Sequence, residues 1–256
     1  KIVILAGEGD YSLWVYNYFI KKGIPIDLLI VEKPIDRKTF LKARIKKIGT
    51  LNVLGQLMHQ ILTVSFLKLT SKKRVAEIIH KGGFDASLPN TSDVLVNVSS
   101  ANSDECLRLL TEIDPYLIIV VNTRIISKKI LSRNKAKFVN IHAGITPKYR
   151  GWHGAYWALV NNDKENCGVT IHLVDEGVDT GGILYQAKIE ITNKDNYFTY
   201  PLLQLEQGLP IFYQAAKDIL EGKSQIKPNN PKLLDGLYSH PTIWEYLSNR
   251  LFKGVK

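Results

Sequence analysis

An asparagine, a histidine and an aspartate are the residues of this chain best suited to chemistry. Asn140 and His142 stand two apart at the end of the apolar run that begins at Phe138. Residues i and i+2 of a strand share a face. The amide and the imidazole therefore project together where the strand runs out, the edge at which open α/β sheets bind ligands. Asp179 lies further on, in a loop with Asp175, Glu176 and several glycines, between two apolar, β-branched runs. An amide can hold an oxyanion, an imidazole can carry a proton, and a carboxylate can set the imidazole's charge. That set suits proton transfer at a polarised carbonyl. Cys106 and Cys167 are far apart with no CxxC spacing, so neither a metal site nor a disulfide framework is indicated.

The spaced motifs carry a resemblance. Asn140-x-His142, then Pro147-x-Tyr149-Arg150-Gly151, Gly168-Val-Thr-x-His172 and Asp175-Glu-Gly-Val-Asp179-Thr-Gly181 resemble the folate-dependent formyltransferases, over roughly residues 90 to 190. The resemblance implies transfer of a formyl group from the cosubstrate N10-formyltetrahydrofolate to a primary amine, without a metal. Asn140 would donate to the developing oxyanion, and His142, kept protonated by Asp179, would stabilise that charge. Main-chain groups would hold the pterin at Arg124, Ile125 and Ile126 and again at Asp175, Glu176, Gly177 and Val178. His153 matches a histidine of the small formyltransferases, with a capping or packing role as an equal alternative. His172 is read as structural. Positions 143–147 read Ala-Gly-Ile-Thr-Pro, a departure from the family's Ser-Leu-Leu-Pro.

The acceptor follows by elimination within the resemblance. Glu8 and Asp10 occupy the first turn, where glycinamide ribonucleotide enzymes hold a phosphate, and they would repel one. The stretch after residue 191 is short and helical, unlike the β-barrel of methionyl-tRNA formyltransferases. A nucleotide-linked amino sugar remains, with Lys148, Arg150, Trp152 and His153 as its binding residues; glycinamide ribonucleotide is the alternative. Tyr149 is read as bracing the turn, and for Arg150 that role weighs evenly with substrate binding.

The surrounding elements must position these groups. Lys1–Ala6 and Pro25–Val31 read as buried strands around a helix over 13–22. The first turn, with an acid some twenty residues on, imitates a dinucleotide fingerprint, but the third glycine is missing, which disfavours an NAD-binding protein. Helices are expected over 40–69, with Gly49 and Gly55 as interruptions, over 74–80 and over 103–113, with strands at 93–98 and 116–121. Such alternation argues for a Rossmann-like α/β fold with a mostly parallel, doubly wound sheet. The core is placed at 1–191 and a helical C-terminal extension at 192–256. In the extension a helix over 197–221 is interrupted near Gly208-Leu-Pro210, Pro228–Pro231 forms a linker, and a last helix opens at Leu237. Its aromatic cluster Tyr238, His240, Trp244 and Tyr246 reads as packing, with an acceptor pocket or a homodimer face as alternatives.

Hydrophobic content of 45% over 256 residues is ordinary for a globular chain. No apolar run spans a bilayer and no signal peptide precedes the first strand, so the cytoplasm is the default, without membrane partners. The chain starts at Lys1, implying at least one residue removed. The net charge of +10 is concentrated between Lys33 and Lys47. Solvated helix faces explain most of it; attraction of an anionic ligand, a folate tail or a nucleotide diphosphate, comes next, and RNA binding is the weaker form.

Overall fold

A computed structural model describes residues 1–89, 92–230 and 236–256. Pro231, in the expected linker, lies outside them. Strands β1 (Ile2–Gly7), β2 (Leu28–Glu32), β3 (Leu95–Val98), β4 (Leu117–Val121), β5 (Lys137–His142), β7 (Gly168–Leu173) and β8 (Ile183–Lys188) form one sheet in the order β3-β2-β1-β4-β5-β7-β8. Neighbours pair parallel from β3 to β5, and β7 runs antiparallel to both β5 and β8. Helices α1 (Asp10–Lys21), α6 (Asp104–Ile113) and α7 (Lys128–Arg133) join strands of this mostly parallel, Rossmann-like sheet. Every residue of β1, β2 and β4 is buried, as strands covered on both faces require.

The strand order reverses between β1 and β4, so a crevice opens at their carboxyl ends. A two-stranded parallel pair, β6 (Arg150–Gly151) with β9 (Leu237–Tyr238), closes one side of it. Short helix α8 (Gly154–Val160) follows β6, and α10 (Ile243–Lys253) ends the chain with a Thr242–Glu245 capping box.

Three expectations need correction. Helix α2 (Arg37–Ile48) stops at Gly49, but α3 (Thr50–Met58) continues straight through Gly55. That glycine serves packing: a Cβ there would lie 2.2 Å from the Trp244 ring. The rod continues through a π-helical stretch (His59–Val64) and α4 (Ser65–Thr70), after which α5 (Lys72–Gly82) ends on left-handed Gly83. Helix α9 (Tyr200–Leu220) runs unbroken through Pro210. Its flanking Leu205, Leu209 and Phe212 are buried, and such packing outweighs the roughly 3 kcal/mol that an interior proline costs. Leu237 and Tyr238 form a strand, and the last helix begins only at Ile243.

Candidate active site

The crevice is a cleft of about 670 Å³. The ends of β4 and β5 line it, with the loop 122–126, the acidic loop 174–179, and Trp152 and His153 beyond β6. At its centre Asn140, His142, His172 and Asp179 form one cluster. Antiparallel pairing places Asn140 opposite His172, and Asn140 Nδ2 lies 3.1 Å from His172 Nε2. Asp179 reaches both imidazoles, with Oδ2 at 3.3 Å from His142 Nδ1 and Oδ1 at 3.5 Å from His172 Nε2. The Gly151 amide donates to Asp179 Oδ2 at 2.9 Å. Asp179 holds φ at 53°, a left-handed backbone that Asp tolerates better than most residues. Asn229 secures the loop beyond it by donating to the Gly181 carbonyl at 2.8 Å.

Heavy-atom partners assign the protons. His172 Nδ1 lies 2.7 Å from the Leu173 carbonyl and donates to it, so Nε2 accepts from Asn140. The second amide hydrogen of Asn140 remains for a ligand. His142 Nε2 lies 2.7 Å from the Tyr149 carbonyl and carries its proton there, which turns Nδ1 toward Asp179. Burial pushes the His142 pKa down; Asp179 and the Tyr149 carbonyl pull against it without restoring the ordinary value. Burial pushes the Asp179 carboxyl up, yet the two histidines and the Gly151 amide outweigh that and hold it well below the usual carboxylate range. Asp179 is thus held as the anion, and burial works against a charge on His142.

Gly144 makes the His142 position possible. A Cβ there would lie 2.2 Å from the Tyr149 carbonyl oxygen and 2.6 Å from His142 Nε2. Gly144→Ala is therefore expected to destabilise the fold by about 1–3 kcal/mol or more, read as a lowered denaturation midpoint. An unchanged midpoint would mean that the Tyr149 carbonyl does not hold the ring. The turn that follows is tied down by Thr170, whose hydroxyl donates to the Gly144 carbonyl at 2.7 Å and accepts from the Thr146 amide at 3.0 Å.

The other sequence-derived candidates divide. Arg124, Ile125, Ile126, Asp175, Gly177 and Val178 line the cleft, whereas Glu176 points out to Lys128 at 3.0 Å. Trp152 and His153 line it too, and His153 stacks on Tyr197 with centroids 4.0 Å apart. Lys148 and Arg150 are not among the lining residues: Lys148 pairs with Asp163 at 2.5 Å, and Arg150 donates to the Val178 carbonyl at 3.2 Å. Sequence reasoning left His172 out of the cluster; its strand register opposite Asn140 was the available signal. It gave Arg44 and Lys47, which α2 brings to the wall, only a share in a general attraction of anions, and it placed packing ahead of an acceptor pocket for Tyr238.

Glu32, the acid that completes the imitation of a dinucleotide fingerprint, is buried and already used. Its two oxygens accept from the Arg124 amide at 2.6 Å and the Ala101 amide at 2.8 Å. It clamps the loops instead of offering itself to a ribose. The Ile125 carbonyl is likewise taken, by Asn102 at 2.9 Å. Ile125 itself is exposed, and it lines the cleft together with Val178.

These features define an α/β protein with a histidine–aspartate cluster beside the switch point of its sheet. The chain belongs to the formyl transferase family, whose profile matches residues 37–206. It is 42% identical to a methionyl-tRNA formyltransferase of Pelotomaculum thermopropionicum over 153 residues, covering 58% of this chain and 49% of the relative. It is 30% identical to a GDP-perosamine N-formyltransferase of Brucella melitensis over 146 residues, 51% of this chain and 56% of the relative. The chain thus matches about half the length of these relatives. Among solved structures, a sugar N-formyltransferase from Shewanella is similar with a TM-score of 0.54 at 17% identity, covering 91% of this chain and 74% of that one. Glycinamide ribonucleotide transformylase 1 from Symbiobacterium toebii is similar with a TM-score of 0.57 at 16% identity, covering 90% and 93%. No helix among the described residues is long and apolar enough to cross a membrane.

Proposed function

We propose that this protein transfers a formyl group from N10-formyltetrahydrofolate to the amine of a nucleotide-linked amino sugar. The observation that carries the chemistry is the contact of Asp179 with both His142 and His172 while His172 holds Asn140. In the reaction, the free N–H of Asn140 meets the oxyanion as an uncharged amine attacks the formyl carbon. The proton lost by the amine passes, directly or through one water, to the His142–Asp179 edge, where Nδ1 has a lone pair. The imidazolium so formed donates on both sides, to the Tyr149 carbonyl and to Asp179. That proton then goes to the departing N10. The cosubstrate supplies the activated formyl carbon, and the loops 124–126 and 175–178 would hold its pterin.

Support for the sugar acceptor comes from the cleft's far wall, where Trp152 stands half exposed, its ring 4.9 Å from His240. An exposed ring at the mouth suits a nucleobase. A fold-mate, the N-formyltransferase from Helicobacter canadensis, was crystallised with folinic acid and dTDP-3-aminofucose; its TM-score is 0.53 at 16% identity, covering 91% of this chain and 69% of that one. The methionyl-tRNA relatives support a second reading, an aminoacyl-tRNA acceptor.

Nucleotide-linked amino sugars, glycinamide ribonucleotide and methionyl-tRNA offered in parallel with formyl-tetrahydrofolate, with mass spectrometry for one added formyl group, decide between these readings. The sugars are expected to be formylated fastest. Trp152→Ala is expected to raise the acceptor's KM about tenfold or more and leave folate binding unchanged. Faster formylation of either other acceptor would replace the sugar reading. A folate analogue should raise the melting temperature by mass action, and NAD should not.

A further inference from the structure

Helix α2 carries six Lys or Arg and no acid, and it buries none of its residues. Lys38, Lys42 and Lys46 follow one another a turn apart, so their like charges oppose the helix. Its packing does not explain its sequence.

Arg44 and Lys47 distinguish themselves from the rest of the run by lining the cleft. Arg44 is held in place: its Nε donates to Gln56 Oε1 at 2.9 Å, and Gln56 donates in turn to the His240 carbonyl at 2.6 Å. Its Nη2 is nevertheless buried without a hydrogen-bond partner among the described residues. Gln56 is itself 7% exposed, so the guanidinium has a built support. Neither Arg44 nor Lys47 pairs with a carboxylate among the described residues, and the acids that line the cleft, Asp175 and Asp179, belong to the loop of the catalytic cluster. The cleft's third cation, Arg124, is already spent on the carbonyls of Lys33 and Ser99. A buried guanidinium N–H without an acceptor is unfavourable until one arrives. Beside an unpaired lysine, the acceptor that fits is a multiply charged oxyanion.

We infer that Arg44 and Lys47 form a phosphate subsite that takes the diphosphate of the amine acceptor. Trp152 lies on the same cleft for the attached base. The identity of the acceptor rests on the formyl-transfer reading; the anion site rests on the cleft itself.

The test compares the wild type with Arg44→Gln/Lys47→Gln by calorimetric titration, using inorganic pyrophosphate and UDP as probes. Both should bind the wild type, and bind the double variant about tenfold or more weakly. The wild-type affinity should also fall with added salt. The melting temperature should fall only a little, because the bond from Arg44 to Gln56 is lost while two mutually repelling charges leave the helix. Should Arg44→Gln unfold the protein, Lys47→Gln, on an exposed side chain, must still weaken pyrophosphate. Equal binding by wild type and variant overturns the subsite. So does a variant that loses affinity for a short duplex RNA while UDP binding stays intact. Titration of 5-formyltetrahydrofolate runs alongside. Its failure to bind either protein would remove the formyl-transfer reading, while the pyrophosphate arm would still decide the subsite.

Discussion

His142→Ala is expected to slow formyl transfer by about 100-fold or more while the protein remains folded. The ring sits between two acceptors, the Tyr149 carbonyl and Asp179, so its removal takes away both the proton carrier and the partner of the carboxylate. Asp179→Asn should cost a similar factor for a different reason. The amide keeps the shape, and the Gly151 amide can still donate to its oxygen, but the negative charge that stabilises the imidazolium is gone. Because the two act as a unit, the double variant should be little slower than either single one. Single-turnover rates at saturating substrate isolate this from binding. Full multiplicativity of the two losses, or unchanged turnover in either variant, would remove the pair from the mechanism. A cooperative thermal transition in each variant shows that the loss is chemical.

Much of this arrangement is legible in the sequence because it is local. Asn140 and His142 share one strand, and the two-residue period fixes their common face. The cap at Ser103 and the stop at Gly83 likewise depend on near neighbours. Features decided by distant partners are harder to read. Gly55 reads as a break until Trp244, far along the chain, fills the space. Pro210 reads as a break because the packing that overrides it comes from the sheet. Lys148 and Arg150 read as acceptor ligands from their position after the catalytic strand, with bracing of the turn an equal reading for Arg150; Lys148 pairs with Asp163, and Arg150 donates to the Val178 carbonyl. The basic helix reads mostly as solvated surface, with anion attraction second, until Gln56 is seen to hold Arg44 at the cleft. The protonation of His142 depends on burial by the whole fold, which no local pattern encodes.

Acid is expected to unfold this protein through its histidines before its carboxylates. Burial pulls His59 and His240 down to about 4 each, and it takes His153 well below its ordinary value. The three meet around Tyr197: His59 lies edge-on to its ring at 4.8 Å, His153 stacks on it at 4.0 Å, and His240 Nδ1 lies 3.1 Å from its hydroxyl. Arg44 adds a positive charge that pulls His240 further down. A depressed pKa on a base means that the unfolded chain binds more protons than the folded one. Stability is then complete above the unfolded value of about 6.5 and is lost as pH falls from there toward about 4. A shift of that size is worth on the order of 3 kcal/mol for one buried histidine. Asp179 acts in the same direction but lower, below the ordinary carboxylate pKa of about 4. His59 offers the cleanest test, because neither ring nitrogen has a hydrogen-bond partner among the described residues and the ring is fully buried against Tyr197 and Tyr246. His59→Phe keeps the ring contacts and removes both unpaired nitrogens and the titration. Denaturant midpoints should fall steeply between about pH 7 and pH 5 in the wild type and less in the variant, with the variant no less stable at about pH 7. The same acid loss in both proteins would show that His59 is not one of the groups that acid must protonate to open the fold.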